Sequence, residues 1–141
     1  MVDTSVLVAA LVQGHPRHAD ALPYLSEAHR GSRHLLVAAH ALAETYATLT
    51  ALPISPRINP ADARQLLEAN VLGLAEIIPL DASDYEAVLD RMTTLALTSG
   101  AIYDALHVRA ADKTQADVLV TLNGRDFRRM PPAPPCTLIT L

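Results

Sequence analysis

Four acidic side chains and one amide sit among apolar or small neighbours rather than on charged faces. Asp3 lies between the apolar start Met1-Val2 and Thr4-Ser5-Val6, and Glu44 lies in His40-Ala41-Leu42-Ala43-Glu44-Thr45-Tyr46-Ala47. Asp104 lies in Gly100-Ala101-Ile102-Tyr103-Asp104-Ala105-Leu106, and Asp126 in Thr121-Leu122-Asn123-Gly124-Arg125-Asp126-Phe127, with Asn123 just before it. Carboxylates gathered in one partly buried pocket repel each other, and at least one stays protonated unless a cation intervenes. A hard divalent ion, Mg²⁺ or Mn²⁺, takes oxygen ligands and keeps several waters, so a few carboxylates suffice to hold it. Such an ion activates water and stabilises charge on a phosphodiester during in-line displacement. The plainer alternative is that these are ordinary acids. Asp104 in particular has the place of a helix N-cap or a first-turn acid favoured by the helix dipole. Spacing alone leaves both open.

The elements that must position these groups follow from period and punctuation. Met1-Val2-Asp3 is a short strand that delivers Asp3 at its carboxyl end, and Ser5 to Val12 is a short helical turn. Pro16 suits a first helical position, and Leu22, Leu25 and Ala28 then repeat at helical spacing up to Gly31. Leu35-Leu36-Val37 is a strand, followed by an Ala-rich helix from His40 to Leu52. In that helix Leu42, Tyr46 and Leu49 form the apolar stripe, with small residues around Glu44. Pro53, Pro56 and Pro60 mark a loop, and Asn59-Pro60-Ala61-Asp62 is an N-cap, first-turn proline and acid opening a helix with Leu66, Leu67, Val71 and Leu74. Ile77 to Leu80 is a strand. Ser83-Asp84-Tyr85-Glu86 has capping-box spacing and opens a helix to about Thr98. A helix from Asp104 to Thr114 and strands at Val118–Thr121 and Thr137–Leu141 complete the chain. Strands alternating with helices predict an α/β fold: one domain over residues 1–141, with a central parallel sheet of about five strands covered on both faces. Ligands in such sheets bind beyond the carboxyl ends of the strands, so Asp3 and the Asn123–Asp126 segment share an edge.

Composition narrows the function classes. At 141 residues and 50% apolar, the chain has material for one sizeable core, and with one Phe, four Tyr and no Trp that core is built from Ala, Leu, Val and Ile. The surplus of small apolar residues on helices predicts a face buried against a second copy, a homodimer. A net charge of −4 argues against a general electrostatic nucleic-acid binder but not against an acidic site that grips nucleic acid through ions. The single cysteine, Cys136, excludes an internal disulfide, fits a reducing compartment and is expected to be buried and inert. Neither a signal peptide nor a membrane-spanning run is present, so a soluble, cytoplasmic protein with no membrane partner is expected.

Other chemistries fit less well. The six histidines form no recognisable zinc set; His40 and Glu44 at i, i+4 have the spacing to share a metal, but such a pair alone is ordinarily a helix-surface contact. Arg125, Arg128 and Arg129 are either RNA-phosphate contacts or a solvated basic patch. The tyrosines suit core or rim positions. An aspartate-nucleophile phosphatase wants a second acid where Ser5 stands, and a dinucleotide binder wants a Gly-rich turn after the first strand.

At the acidic motifs the sequence resembles the PIN-domain nucleases, and among them the VapC-type toxins of bacterial toxin–antitoxin pairs. Asp3-Thr4-Ser5-Val6-Leu7-Val8-Ala9 is similar to the family's opening motif, and Glu44 has the place of its mid-chain helical glutamate. Ala101-Ile102-Tyr103-Asp104-Ala105 and Val120 to Phe127 resemble its third and last motifs, so the likeness runs the length of the chain in order. The resemblance implies an Mg²⁺- or Mn²⁺-dependent endoribonuclease, usually homodimeric, whose cognate antitoxin occupies the acidic groove. It implies that Asp3, Glu44, Asp104 and Asp126 hold the ion and its water, with Asn123 as the alternative fourth ligand. Ser5 and Thr121 would orient the carboxylates through their hydroxyls. A PIN-like module that binds without cutting is the alternative. One departure is that only Met1-Val2 precede Asp3, which leaves either a natural start further upstream or a first strand partly replaced by its neighbours.

Overall fold

The computed structural model describes residues 1–141. Its elements are α1 (Thr4–Leu11), α2 (His18–His29), β1 (Leu36–Ala38), α3 (Ala39–Ala51), α4 (Pro60–Leu67) with a following π-helical turn (Glu68–Leu72), β2 (Glu76–Ile78), α5 (Ala82–Thr94), α6 (Ala101–Thr114), β3 (Val118–Thr121), α7 (Gly124–Arg129) and β4 (Thr137–Thr140).

β1 pairs in parallel with β2, and β3 with β4. The opening residues join the two pairs. Val2 bridges Val120 in parallel, and its N–H donates to the Leu36 carbonyl at 3.2 Å. Asp3 N–H donates to Val120 O at 3.1 Å, and Val120 N–H donates to Met1 O at 3.0 Å. The expected first strand is thus reduced to one bridged residue. The cause is local: the Asp3 carboxylate accepts from Val6 N–H and caps α1, so helix begins at Thr4 and extended chain cannot continue.

Helices cover both faces. On one, Val6, Leu7 and Ala10 of α1 meet Leu25 of α2, Val37 of β1 and Val120 of β3; on the other, Val108 and Ala111 of α6 meet Leu119, Phe127 and Ile78. Ala9, Ala21, Ala41, Ala110 and Ala111 are wholly buried in this packing. These alanines serve close approach of helices within the chain.

Several boundaries differ from the sequence-based ones. α2 starts at His18, beyond Pro16, and its Leu22 is exposed. α3 buries Ala41, Thr45 and Leu49, while Leu42 is only partly buried and Tyr46 is exposed, so the stripe keeps Leu49 but is rotated away from Leu42 and Tyr46. The capping box of α5 is made by Asp81 with Asp84, not Ser83 with Glu86, and the helix ends at Thr94, before Ala96 and Ser99 take positive φ. α6 begins at Ala101, so Asp104 lies inside the helix and is not its N-cap. Cys136 is only partly buried. The Asn59 cap and Pro60 start stand as expected, with Asn59 accepting from Asp62 N–H at 2.9 Å.

Two contacts fix the elements that carry the acids. Buried Asp84 takes Lys113 Nζ at 2.5 Å and Arg109 Nε at 2.8 Å, which clamps α5 to α6. The Lys113 ammonium, against the opposing effect of burial, holds its carboxyl down at about 2. Gly124 opens α7 flush against β4. A Cβ there would lie 2.8 Å from Thr140 Cγ2, closer still to Thr140 Oγ1, and 2.7 Å from an Arg128 guanidinium nitrogen. Thr140 is short and β-branched, so it has few rotamers in which to turn away. Gly124→Ala is therefore expected to destabilise the fold by about 1–3 kcal/mol in denaturant titrations, with Thr140→Ala restoring part of the loss. A neutral single variant would contradict this packing.

Candidate active site

The carboxyl ends of the Met1–Asp3 segment and β3 open into a cleft of about 380 Å³ whose lining includes Asp3, Thr4, Glu44, Asp104, His107 and Asn123. A larger hollow of about 500 Å³ lies apart from these carboxylates, beside Met1, Leu36 and Val118.

Asp3 is 3% exposed and held from three sides. Its Oδ1 accepts from Ser5 Oγ at 2.7 Å and from Val6 N–H at 2.9 Å; its Oδ2 accepts from Thr121 Oγ1 at 2.6 Å. The two hydroxyls are tied in turn. Ser5 Oγ accepts from Leu122 N–H at 3.0 Å, and Thr121 Oγ1 accepts from Asn123 N–H at 2.8 Å. Ser5 and Thr121 thus both hold the Asp3 carboxylate by hydrogen bonds, and they also lock the start of α1 to the end of β3.

Glu44 projects from α3. Its Oε2 accepts from Thr4 Oγ1 at 2.5 Å and lies 3.8 Å from His107 Nε2, while its Oε1 is buried with no partner. Burial pushes the Glu44 carboxyl up, but His107 and Thr4 outweigh it, and the net shift is downward. Asp104 faces the opposite balance. Partial burial and then the charge of Asp3 push its carboxyl up to about 6, with Asp126 and Glu44 adding and His107 opposing. The Asn123 amide nitrogen stands 3.3 Å from Asp104 Oδ2 and 3.3 Å from Asp126 Oδ2. Asn123 lines the cleft, whereas Asp126 is set back and lies 3.5 Å from Arg129. Arg125, Arg128 and Arg129 are exposed on α7, directly after Asn123.

Asp3, Glu44, Asp104 and Asn123 therefore share one cleft, with Asp126 set behind Asn123, and carboxylates brought this close repel one another. Oxygen donors of this kind fit a hard divalent ion. Sequence reasoning missed Thr4 and His107, and it left His40 as a surface contact. The structure brings His40, Glu44 and His107 together, with one ligand atom from each within 4.8 Å of the others. The available signal was helical spacing: His107 is one turn beyond Asp104, and His40 one turn before Glu44.

A family model described as PIN domain matches residues 1–131. Ribonuclease VapC27 of Mycobacterium tuberculosis is 37% identical over 124 residues, spanning 88% of this chain and 84% of that protein. Ribonuclease VapC40 of the same organism is 40% identical over 126 residues, 89% and 85% of the two chains. The chain belongs to the PIN-domain family, as a VapC-type ribonuclease toxin. Two solved structures share the VapC-type fold. VapC20 of M. tuberculosis, a toxin that cleaves the sarcin–ricin loop, superposes with TM-score 0.69 at 18% identity over 92% of this chain and 93% of that one. VapBC2 of Rickettsia felis, bound to a DNA fragment from its promoter, gives 0.68 at 21% over 100% and 97%.

The charge crowding in this VapC-type cleft has a sign that stability measurements can read. The Asp104 carboxyl is raised from 3.8 to about 6 on folding, so between those values the metal-free folded state binds the extra proton. Its stability therefore falls as pH rises from about 4 through about 6. The full shift corresponds to ~3 kcal/mol, which the half-exposed position reduces to about 1–2 kcal/mol. Asp104→Asn is expected to stabilise the metal-free protein by that amount at pH 7.5 in EDTA and to change nothing near pH 4. A variant less stable than the parent at pH 7.5 would show that Asp104 is not under this strain.

Proposed function

We propose that this VapC-type endoribonuclease hydrolyses RNA phosphodiester bonds with an Mg²⁺ or Mn²⁺ ion held by Asp3, Glu44 and Asp104. PIN ribonucleases generally depend on divalent metal ions. The observation that carries the reading is the convergence of Asp3, Glu44 and Asp104 on one cleft lined with oxygen donors, where partial burial and then the charge of Asp3 push the Asp104 carboxyl up. Asn123 lines the cleft and is the better fourth donor; Asp126, leaning toward Arg129, adds charge from behind it.

When bound, the ion supplies activation of water and stabilisation of the charge that develops on the phosphate. The chain's own residues do the positioning. Ser5 and Thr121 hold both Asp3 oxygens in place, and Thr4 holds Glu44 Oε2. Asp3 is spared the cost of burial by Val6 N–H at the amino end of α1, where the helix dipole favours negative charge. Arg125, Arg128 and Arg129 stand exposed beside the cleft to take RNA phosphates on either side of the cut.

A cognate antitoxin is the expected protein partner, as in the VapBC2 complex. Homodimerisation is supported by large apolar side chains left exposed, including Leu89 at 54% and Tyr103 at 53%, with Tyr85 on the same helix as Leu89. No helix is long and apolar enough to cross a membrane, in keeping with a cytoplasmic site of action for one nuclease unit over residues 1–141.

Asp3→Asn and Asp104→Asn keep the side-chain shape and remove a charge. Each is expected to lower RNA cleavage roughly a hundredfold or more with the fold retained by circular dichroism. Millimolar Mn²⁺ is expected to raise the melting temperature of the parent by several degrees relative to EDTA, because an ion that binds only the folded state stabilises it by mass action. Undiminished cleavage by both variants, or coincident melting curves, would overturn the assignment.

A further inference from the structure

His40, Glu44 and His107 form a cluster of a different chemical character from the carboxylates around Asp104. His40 and Glu44 lie one turn apart on α3, and His107 reaches them from α6. The two imidazole rings stand 4.5 Å apart, centre to centre. Both ring nitrogens of His40, Glu44 Oε1 and His107 Nδ1 are buried and lack any hydrogen-bond partner. Buried polar atoms are ordinarily paired, and four orphaned ones on three touching side chains call for a common explanation.

We propose that His40, Glu44 and His107 are a second cation site, built for a borderline transition ion such as Zn²⁺ and sharing Glu44 with the hard-ion centre. Imidazole nitrogens suit Zn²⁺ and are poor ligands for Mg²⁺. Two neutral imidazoles and one carboxylate leave a divalent ion with one net positive charge and an open fourth position, the ligand number of accessible zinc sites. One donor from each residue already lies within 4.8 Å of the others. A tetrahedral ion with ligands near 2.0–2.1 Å sets its donors roughly 3.3 Å apart, so donors up to 4.8 Å apart must close by as much as about 1.5 Å on binding. Rotamer adjustment of His40, which is only partly buried, supplies that movement. His107 enters through Nδ1, which is free, or through Nε2, whose contacts with Thr4 are 3.2 and 3.4 Å long and weak.

Glu44 cannot orient fully toward both centres. Occupation by Zn²⁺ turns it toward the imidazoles and withdraws it from the Asp3–Asp104 group, so Zn²⁺ opposes Mn²⁺-supported cleavage. The donor set shares only Glu44 with the ligands of the nuclease centre, since neither histidine is one of them.

The test is Zn²⁺ binding to untagged, EDTA-stripped full-length protein in millimolar Mg²⁺, followed by competition with a chromophoric chelator. One Zn²⁺ per chain is expected, with affinity weakened roughly tenfold or more in His40→Gln, not weakened in Asp104→Asn, where Mg²⁺ competes less for Glu44, and unchanged in Cys136→Ser. X-ray absorption on the unmutated Zn²⁺ protein is expected to show scattering from two imidazoles, a readout that needs no variant to fold. Absence of saturable binding, binding indifferent to His40→Gln, loss in Asp104→Asn or Cys136→Ser, or fewer than two imidazoles would overturn the site. RNA cleavage by Asp104→Asn reports separately on the nuclease centre, so failure of one assignment leaves the other readable.

Discussion

The structure turns on a carboxylate that cannot move. Asp3 is sealed at the junction of α1 and β3, with both oxygens already committed to Ser5, Val6 and Thr121. Those bonds satisfy both oxygens of a nearly buried side chain that has no ion-pair partner. They also tie residues 118 positions apart, so the opening of the chain and the end of β3 are one rigid piece. Beside that fixed side chain Asp104 is pushed up, first by its own partial burial and then by the charge of Asp3.

That distribution explains why the surroundings are built as they are. A sheet whose pairings are parallel gathers its carboxyl ends on one edge, so short strands suffice to bring Asp3, the start of α3 and Asn123 into one place. Fully buried alanines let α1, α3 and α6 approach the sheet closely, and Gly124 allows α7 to sit against Thr140. The clamp of Lys113 and Arg109 on Asp84 fixes α6 against α5 at the far end of the helix that carries Asp104. Rigidity around the acids keeps the repulsion from relaxing, and destabilisation of the metal-free protein is the physical counterpart of affinity for a cation.

Much of this was legible in the sequence. The alternation of strands and helices, the Asn59 cap and the identity of the clustered acids all rest on local period and residue type, which one chain displays. What stayed hidden depends on contacts between distant residues. The first strand shrank because the capping bond from Asp3 to Val6 outcompeted extension. Asp104 looked like a cap because an acid near a helix start usually is one; the helix began a turn earlier at Ala101 and left its carboxylate facing the cleft. The stripe of α3 was misplaced because small Ala41 and Thr45 carry the buried face while Tyr46 points outward. His107 drew no notice as a lone histidine, and only the crossing of α6 over α3 sets it beside His40 and Glu44.

The most direct measurement is the titration of the Asp104 carboxyl carbon by NMR, in EDTA and again in saturating Mg²⁺. Without metal the midpoint is expected near 6, and with Mg²⁺ it is expected to fall below the ordinary 3.8 as the cation replaces the proton. An ordinary midpoint in EDTA, or one that Mg²⁺ leaves unmoved, would mean that these side chains do not form a charge-frustrated cation site.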